Sequence, residues 1–431
     1  MGPAVGFVLE NPLVSFFSAV FMIHAASVIY VTGDDYIYYT ALYGVLVWVS
    51  YLSSRSLTGS FVSGVTGRVA DILRLPDRPL ASTLVDIFVF LFPVVYFGVA
   101  GRVPAYDMLL SADYFANAGL RHEFHDGIPT LLSYAGEYYI KAIAPLWLLY
   151  SFIFRRKAYW LLAVYLGLFA LGMITKSVVV IIFVPTLLFQ VFGKKLAHAA
   201  ITALIILGVI YGNILLQDKS LSAPLSLDIT EQSPHITEQS PRPSDELSST
   251  EEPAGEASLV ERASGVARGV YVASEAILAR LFYKNGLTVK FWMESYSTDF
   301  PSEKGCGYRW YASLVGCEFV YIPEKIWLKY FPELHARGIG GSVSAANYIN
   351  GYANFGTPGV LASGVLTGLL LALLTAAFPN PVTALAVNAA AIALTFENTL
   401  SILLNSGGWG LFVALAVLFL PRRATEYRLR G

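Results

Sequence analysis

Charged residues are scarce in this sequence, and their scarcity excludes an ordinary soluble protein. Of the 431 residues, 14% are charged and 55% are apolar, and the mean hydropathy is +0.58. Soluble proteins carry charges on about a quarter of their residues. Long apolar runs recur along the chain, so the sequence predicts an all-α, polytopic membrane protein. No early run ends in a small-residue cleavage site, and the first apolar segment is therefore expected to be a retained span.

Ten segments are apolar enough for a transmembrane helix, which needs about 17–25 residues. Their predicted limits are 12–31, 36–53, 84–101, 132–154, 158–175, 177–193, 197–216, 356–378, 383–404 and 408–421. Lys and Arg cluster after the second, fourth, sixth and tenth spans: Arg55, Arg68, Arg74, Arg78, Arg155, Arg156, Lys157, Lys194, Lys195, Arg422, Arg423, Arg428 and Arg430. Ten spans place all these clusters on one side, so the positive-inside rule predicts that both termini are cytoplasmic.

The remaining residues form connections and one large outer loop. The predicted organisation is a seven-span region over 1–216, an insertion over 217–262, a loop over 263–346, a three-span region over 347–421 and a tail over 422–431. The insertion contains the tandem repeat "ITEQSPHITEQSPRP" and is rich in Ser, Pro and Glu. Such composition predicts disorder, with a docking segment as the alternative. The loop begins with "VARGVYVASEAILARLFYKNG", whose apolar spacing predicts an amphipathic helix at the membrane interface.

Cysteine is nearly absent, and Cys306 and Cys317 are the only two. Both lie in the predicted outer loop, where an oxidising compartment favours one disulfide. Two unrelated thiols are the alternative. Their spacing does not resemble a metal site.

Ionisable residues within or at the edges of apolar spans are costly and mark functional sites by default. Asp86 stands next to an Arg-rich connection and is interpreted as an interfacial charge. Glu137 and Lys141 are four residues apart, so they can pair on one helix face. Lys176 lies between two spans at the outer membrane surface, where ligand binding and snorkelling both explain it. The other such residues are Asp34, Asp35, Arg280 and Glu397.

Two outer-face clusters combine Arg with His. The first, "LRHEFHDG", contains Arg121, and the second, "ELHARGIGG", contains His335 and Arg337. Arg binds phosphate through two hydrogen bonds, and a neutral His can accept a hydroxyl proton near pH 7. This combination suits transfer chemistry on a lipid-linked pyrophosphate, and simple solvation of outer loops is the alternative. The His-x-x-His spacing in the first cluster lacks further ligands, so no metal is expected.

Two stretches resemble the oligosaccharide repeat-unit polymerases, the Wzy-type O-antigen and capsule polymerases. They are "ILARLFYKNGLTVKFWMESY" and "GGSVSAANYINGYANFGTPGVLASGVL". The second stretch resembles a family motif that opens a membrane helix, matched here by Gly351, Tyr352, Asn354, Phe355, Gly356, Gly359 and Val360. The step at Thr175, Lys176 and Ser177 is similar to a Lys-Ser step of the family. Many members carry an acidic residue where Gly351 stands, which is a departure from the pattern.

The resemblance implies a bacterial inner-membrane glycosyltransferase with a fold related to the membrane-integral C-type (GT-C-like) enzymes. Its substrates would be undecaprenyl-pyrophosphate-linked oligosaccharides on the periplasmic side, joined without a metal or other cofactor. Its partners would be membrane lipids and the flippase and chain-length regulator of the same pathway, with no nucleic acid.

Site roles follow from position and from this resemblance. Arg280, Arg337, Lys176 and Arg121 are expected to hold pyrophosphate as an electrostatic clamp, and His335 is the candidate base. Glu397 and Glu137 are reserve candidates. Tyr348, Tyr352 and Asn354 are expected to contact sugar, although capping and interfacial anchoring also explain them.

Two other function classes remain open. An O-antigen ligase, or another polyprenyl-dependent transferase, would use acidic residues in the first outer loop, where Asp34 and Asp35 stand. A polysaccharide flippase or transporter is the second. Transporters commonly contain internal repeats, and no repeat relates the two halves of this sequence.

Overall fold

A computed structural model describes residues 10–73, 79–110, 124, 127–173, 175–217, 283–336 and 340–420. Within these residues every regular element is a helix. The helices that precede the insertion are α1 (Pro12–Thr32), α2 (Ile37–Leu73), α3 (Pro79–Ala100), α4 (Pro104–Leu110), α5 (Thr130–Tyr138), α6 (Ala144–Phe154), α7 (Arg156–Gly172), α8 (Lys176–Phe192) and α9 (Leu196–Gln217). A π-helical segment, Tyr139–Ile143, joins α5 to α6.

The described part of the chain after the insertion contains nine α-helices. They are α10 (Asn285–Glu294), α11 (Arg309–Val315), α12 (Ile322–Tyr330), α13 (Pro332–Ala336), α14 (Asn347–Phe355), α15 (Thr357–Ala377), α16 (Pro381–Leu394), α17 (Leu400–Leu404) and α18 (Trp409–Phe419). A second π-helical segment, Ser295–Asp299, extends α10. The predicted insertion and most of the predicted interfacial helix lie outside the described residues, as does the tail.

Four stretches of helix are long and apolar enough to cross a membrane. They are Pro12–Thr32, Ser82–Ala100, Leu196–Asn213 and Thr357–Ala377. Shorter apolar helices accompany them at Lys157–Gly172, Ser177–Phe192, Pro381–Leu394 and Trp409–Phe419. The chain is a helical membrane protein. Each of the ten predicted segments overlaps a helix, and the number of crossings remains a prediction.

Two predicted segments differ from the observed helices. The segment predicted over 36–53 is part of a much longer helix, α2, because no proline interrupts the chain before Pro76. The prediction of one helix over 383–404 is wrong, because the chain leaves α16 after Leu394 and re-enters a helix only at Leu400. The backbone of this break is partly satisfied by Asn347, which belongs to a different helix.

Small residues allow α15 to pack closely along α2. A Cβ atom at Gly364 would lie 2.7 Å from the Cβ of Leu46, and one at Gly368 would lie 2.5 Å from the carbonyl oxygen of Val47. Gly-x-x-x-Gly spacing places both glycines on one face of α15, as in close helix pairs of membrane proteins. Substitution of either glycine would therefore push the two helices apart.

Helix α10 anchors the segment 283–336 on the end of α1. The backbone N–H of Gly286 donates to the Ser27 hydroxyl at 2.8 Å. A Cβ atom at Gly286 would lie 2.2 Å from the carbonyl oxygen of Ser27, so only glycine allows this approach. Helix α14 packs on both α10 and α15. Helix α10 therefore lies against α1, and α12 packs on α10.

Candidate functional site

Tyr348 ties α14 to the first two helices. Its side chain is fully buried, and its ring stacks on Tyr43 with centroids 4.8 Å apart. Its hydroxyl lies 2.7 Å from the hydroxyl of Thr40 and 3.0 Å from Nε2 of His24. Tyr348 was expected to contact sugar, but its ring has no exposed surface that a sugar could reach. In this arrangement Tyr348 holds three helices together.

Asn347 supports the break between α16 and α17. Its backbone N–H donates to the carbonyl of Thr395 at 2.9 Å, and its side-chain oxygen accepts from the N–H of Leu400 at 3.0 Å. A break in an apolar region needs such partners, because unpaired backbone groups are costly there. Glu397 lies within the supported turn, half-buried. The turn therefore gives a candidate acidic residue a defined place next to α14.

The glycine at position 351 is required by close packing between α14 and α15. A Cβ atom there would lie 2.5 Å from the carbonyl oxygen of Gly359 and 2.5 Å from the Ser363 hydroxyl oxygen. Many proteins of the family that this chain resembles carry an acidic side chain at this position. Such a side chain does not fit here. Any carboxylate that acts in this protein must come from elsewhere.

Asn354 holds the loop that contains Ser302 and Gly307 against α14. Its side-chain oxygen accepts the N–H of Gly307 at 2.9 Å, and its amide nitrogen donates to the carbonyl of Asn350 at 2.9 Å. The Ser302 hydroxyl donates to the Asn354 carbonyl at 2.6 Å. The side chain is fully buried and is engaged by protein groups on both its oxygen and its nitrogen. Its observed role is therefore docking of the loop.

A disulfide closes the docked loop. Cys306 and Cys317 are bonded, and α11 lies between them. The predicted disulfide is confirmed. Gly305, with φ of +92°, adopts the left-handed conformation that glycine favours, and this conformation brings the chain against Tyr311 and Phe355.

Partly exposed tyrosines from α14, from the start of α2 and from the turn before α2 lie near one another. The rings of Tyr352 and Tyr39 are 4.9 Å apart. Tyr36 interacts electrostatically with Tyr352 on one side and with Glu294 on the other. Burial, followed by the Glu294 carboxylate, raises the pKa of the Tyr36 hydroxyl above its ordinary value. The three phenol hydroxyls can donate hydrogen bonds.

Glu294 and Tyr330 complete this surface. The Tyr330 hydroxyl donates to Oε2 of Glu294 at 3.2 Å. The carboxylate is half-buried and keeps acceptor capacity, since it has two oxygens. We call the following set the tyrosine–carboxylate surface: Tyr36, Tyr39, Tyr330, Tyr352 and Glu294. Aromatic faces beside a fixed carboxylate provide stacking area and hydrogen-bond acceptors for a polar ring compound such as a sugar.

A lysine lies at the edge of this surface. Lys329 is paired with Asp299, donates to the Ser295 hydroxyl at 2.9 Å and lies 4.9 Å from the centre of the Tyr330 ring. The hydrogen bond from Lys329 holds the pKa of the Asp299 carboxyl below its ordinary value. Burial alone would lower the pKa of Lys329, but the hydrogen bond and charge of Asp299 together with the interactions of Tyr330 outweigh it and raise that pKa. This pair stays charged near neutral pH.

The predicted phosphate-binding residues and base are not assembled by the described residues. Arg121, Arg280 and Arg337 lie outside them. Lys176 is the first residue of α8, and His335 is exposed on the short helix α13. The clamp therefore stays a prediction.

One predicted charge pair and the partner of a predicted interfacial charge are better defined. Glu137 and Lys141 form an ion pair, as expected from their spacing, and Lys141 also donates to the carbonyl of Ser406 at 3.0 Å. Asp86 pairs with Arg155 and accepts the indole N–H of Trp147 at 2.7 Å. Its charge is thus neutralised by a partner from the Arg-rich connection after the fourth predicted span.

Sequence reasoning missed His24 and Glu294. His24 is an isolated histidine in an apolar run, and the rule that flags ionisable residues in spans would have found it. Glu294 lies inside the stretch that carries the family resemblance, but no spacing signal relates it to Tyr36 or Tyr352. Only the packing of α10 on α1 brings it there.

Comparison with protein family models, with curated proteins and with solved structures finds no match for this chain.

Proposed function

We propose that the protein polymerises lipid-linked oligosaccharide repeat units. One observation carries the proposal: the two stretches that resemble the repeat-unit polymerases meet at the tyrosine–carboxylate surface. The first stretch contributes Glu294 and the second contributes Tyr352, with Tyr36 and Tyr39 between them. More than fifty residues of chain separate the two stretches' contributions. If the two stretches bind the same substrate, both must contribute side chains to one surface.

In the proposed reaction, a hydroxyl oxygen of the acceptor unit attacks the anomeric carbon of the donor glycan. The bond from that carbon to the pyrophosphate oxygen breaks, and undecaprenyl pyrophosphate leaves with the electron pair. The hydroxyl proton passes to a base, for which His335 is our candidate. Arg280, Arg337, Lys176 and Arg121 would stabilise the charge that develops on the leaving pyrophosphate. Glu137 and Glu397 are the reserve acid–base groups.

The tyrosine–carboxylate surface would hold the sugar rings during this transfer. Positioning of the acceptor supplies much of the rate enhancement in a two-substrate reaction. Lys329 and Asp299 at the edge add a charged boundary that limits the orientation of the glycan. We place the reaction on the periplasmic face of the bacterial inner membrane. This placement rests on ten crossings, cytoplasmic termini and a GT-C-like arrangement.

The test uses a strain that lacks the gene and displays its surface glycan as a gel ladder. We expect the deletion to leave a single repeat unit, and wild-type protein to restore the ladder. Tyr352→Ala and Glu294→Gln should each lose long chains while the protein remains in the membrane. Tyr211→Ala, at an exposed position on α9, is the matched control and should restore the ladder. Normal ladders from both surface variants would refute the proposed site.

A second candidate is a different polyprenyl-dependent transferase, such as an O-antigen ligase. Asp34 and Asp35 are exposed in the turn before α2, and the charge of Asp35 acts on Tyr36. The same strain separates the possibilities. Loss of a ligase leaves long chains on the undecaprenyl carrier, and loss of a polymerase leaves single repeat units in the surface glycan. Loss of a flippase traps the units on the cytoplasmic face.

A further inference from the structure

Helix α11 presents large apolar side chains away from the protein. Trp310, Leu314 and Val315 are 60%, 77% and 58% exposed. Trp310 and Leu314 are four residues apart and share one helix face, while Ala312 on the opposite face is buried. An apolar patch of this kind on an extramembrane loop marks a contact with a partner or with a membrane. We call these three residues the α11 patch.

The loop that carries the patch is fixed to the start of a membrane helix. Phe355 is the last residue of α14, and α15 begins two residues later. The rings of Phe355 and Tyr311 are 5.6 Å apart, and those of Tyr311 and Trp310 are also 5.6 Å apart. The Cys306–Cys317 disulfide and the bond from Gly307 to Asn354 brace the same loop. The α11 patch is thus held close to the level at which α15 begins.

Exposed apolar side chains also occur at the end of α14 and on α15. Phe355, Leu361 and Leu366 are 38%, 39% and 57% exposed. Helix α15 is one of the four stretches long and apolar enough to cross a membrane, so its exposed apolar side chains are expected to face lipid. Arg309 is exposed next to Trp310 on α11. Trp with a neighbouring cation at the end of a membrane helix is the composition that anchors proteins in the headgroup layer.

We propose that the α11 patch inserts into the headgroup layer of the bilayer. Trp310 and Leu314 bury their apolar atoms at the acyl boundary, and Arg309 contacts lipid phosphate. The disulfide keeps α11 in the orientation that this insertion needs. The disulfide-closed loop, which is docked on α14 through Asn354, is thereby held at the membrane surface. This membrane contact is independent of the proposed polymerase activity.

The test measures tryptophan fluorescence of the full chain in nanodiscs. Lipids brominated at shallow acyl positions quench indoles that reach the acyl boundary, and iodide quenches indoles in water. The difference between wild type and Trp310→Phe isolates the Trp310 signal from the six other tryptophans. We expect the difference signal to be lost with brominated lipid and retained with iodide. Trp292→Phe, at a buried position, is the control and should remove no lipid-quenched signal.

Two outcomes would overturn the membrane contact. Quenching of the Trp310 signal by iodide, without quenching by lipid, would show a side chain in water. Resistance to both quenchers would show that protein covers the patch. A second variant, Leu314→Asn, is independent of the tryptophan change and lies at an exposed position. It should weaken lipid quenching of Trp310, and unchanged quenching would also contradict the insertion.

Discussion

Replacement of Gly359 by Ala should separate α14 from α15. A Cβ atom at this position would lie 1.9 Å from the carbonyl oxygen of Gly351, where ordinary contact begins at 3.4 Å. The neighbour is backbone, so no flexible side chain can turn away. Helix α14 would have to shift by roughly 1.5 Å, and overpacking of this kind costs about 1–3 kcal/mol. The assay is the apparent Tm of the purified protein in detergent, measured by the loss of the folded species on size-exclusion chromatography.

The matched control is Gly98→Ala on α3. No heavy atom lies within 4 Å of a Cβ built at Gly98, so the extra methyl group meets open space. Ala is also the better helix former by about 1 kcal/mol. We expect Gly98→Ala to retain or slightly raise the apparent Tm, and Gly359→Ala to lower it. Equal values for the two variants would refute the close approach of α14 and α15.

Three further predictions concern groups around α14 and the outer loop. Tyr348→Phe removes the hydroxyl that faces His24, so the buried His24 side chain loses a hydrogen-bond partner. The free energy of unfolding should fall by about 1–3 kcal/mol, and the apparent Tm should fall with it. The folded-state pKa of Asp299 lies below 3.8, its value in the unfolded chain. The ionised carboxylate therefore stabilises the fold fully above pH 3.8, and this stabilisation is lost as the pH falls through the lowered pKa. Asp299→Asn should therefore remove part of the acid sensitivity of thermal unfolding. If wild type and variant lose stability identically as the pH falls, the Asp299–Lys329 pair contributes little to stability. Asn354→Ala should raise hydrogen exchange in residues 301–308 while leaving the membrane helices protected, and unchanged exchange would contradict the docking role.

Long apolar segments predicted helices because the length and composition of such a run are local properties of the chain. The first span was predicted over 12–31 and is observed at Pro12–Thr32. The disulfide was also predictable, since two cysteines shared one outer loop. In both cases the signal is local in the chain.

Features that depend on distant residues could not be predicted. The break after Leu394 exists because Asn347 supplies hydrogen bonds to its backbone, and hydropathy does not report such partners. Asn354 was expected to face sugar, but a distant Gly307 engages its side chain. Tyr352 alone among the three predicted sugar contacts of α14 keeps an exposed face. Its neighbour Tyr36 comes from the turn before α2 and Tyr39 from the first turn of that helix, and no predicted sugar contact included either.

The central claim is tested most directly by reconstitution of the purified protein in proteoliposomes with undecaprenyl-pyrophosphate-linked repeat units. The products are separated by length, and released undecaprenyl pyrophosphate is quantified. We predict a ladder that rises by whole repeat units, with one undecaprenyl pyrophosphate released for each unit joined. Glu294→Gln and Tyr352→Ala should reduce both signals together. Folded wild-type protein that binds these lipids but forms no ladder and releases no undecaprenyl pyrophosphate would contradict the account.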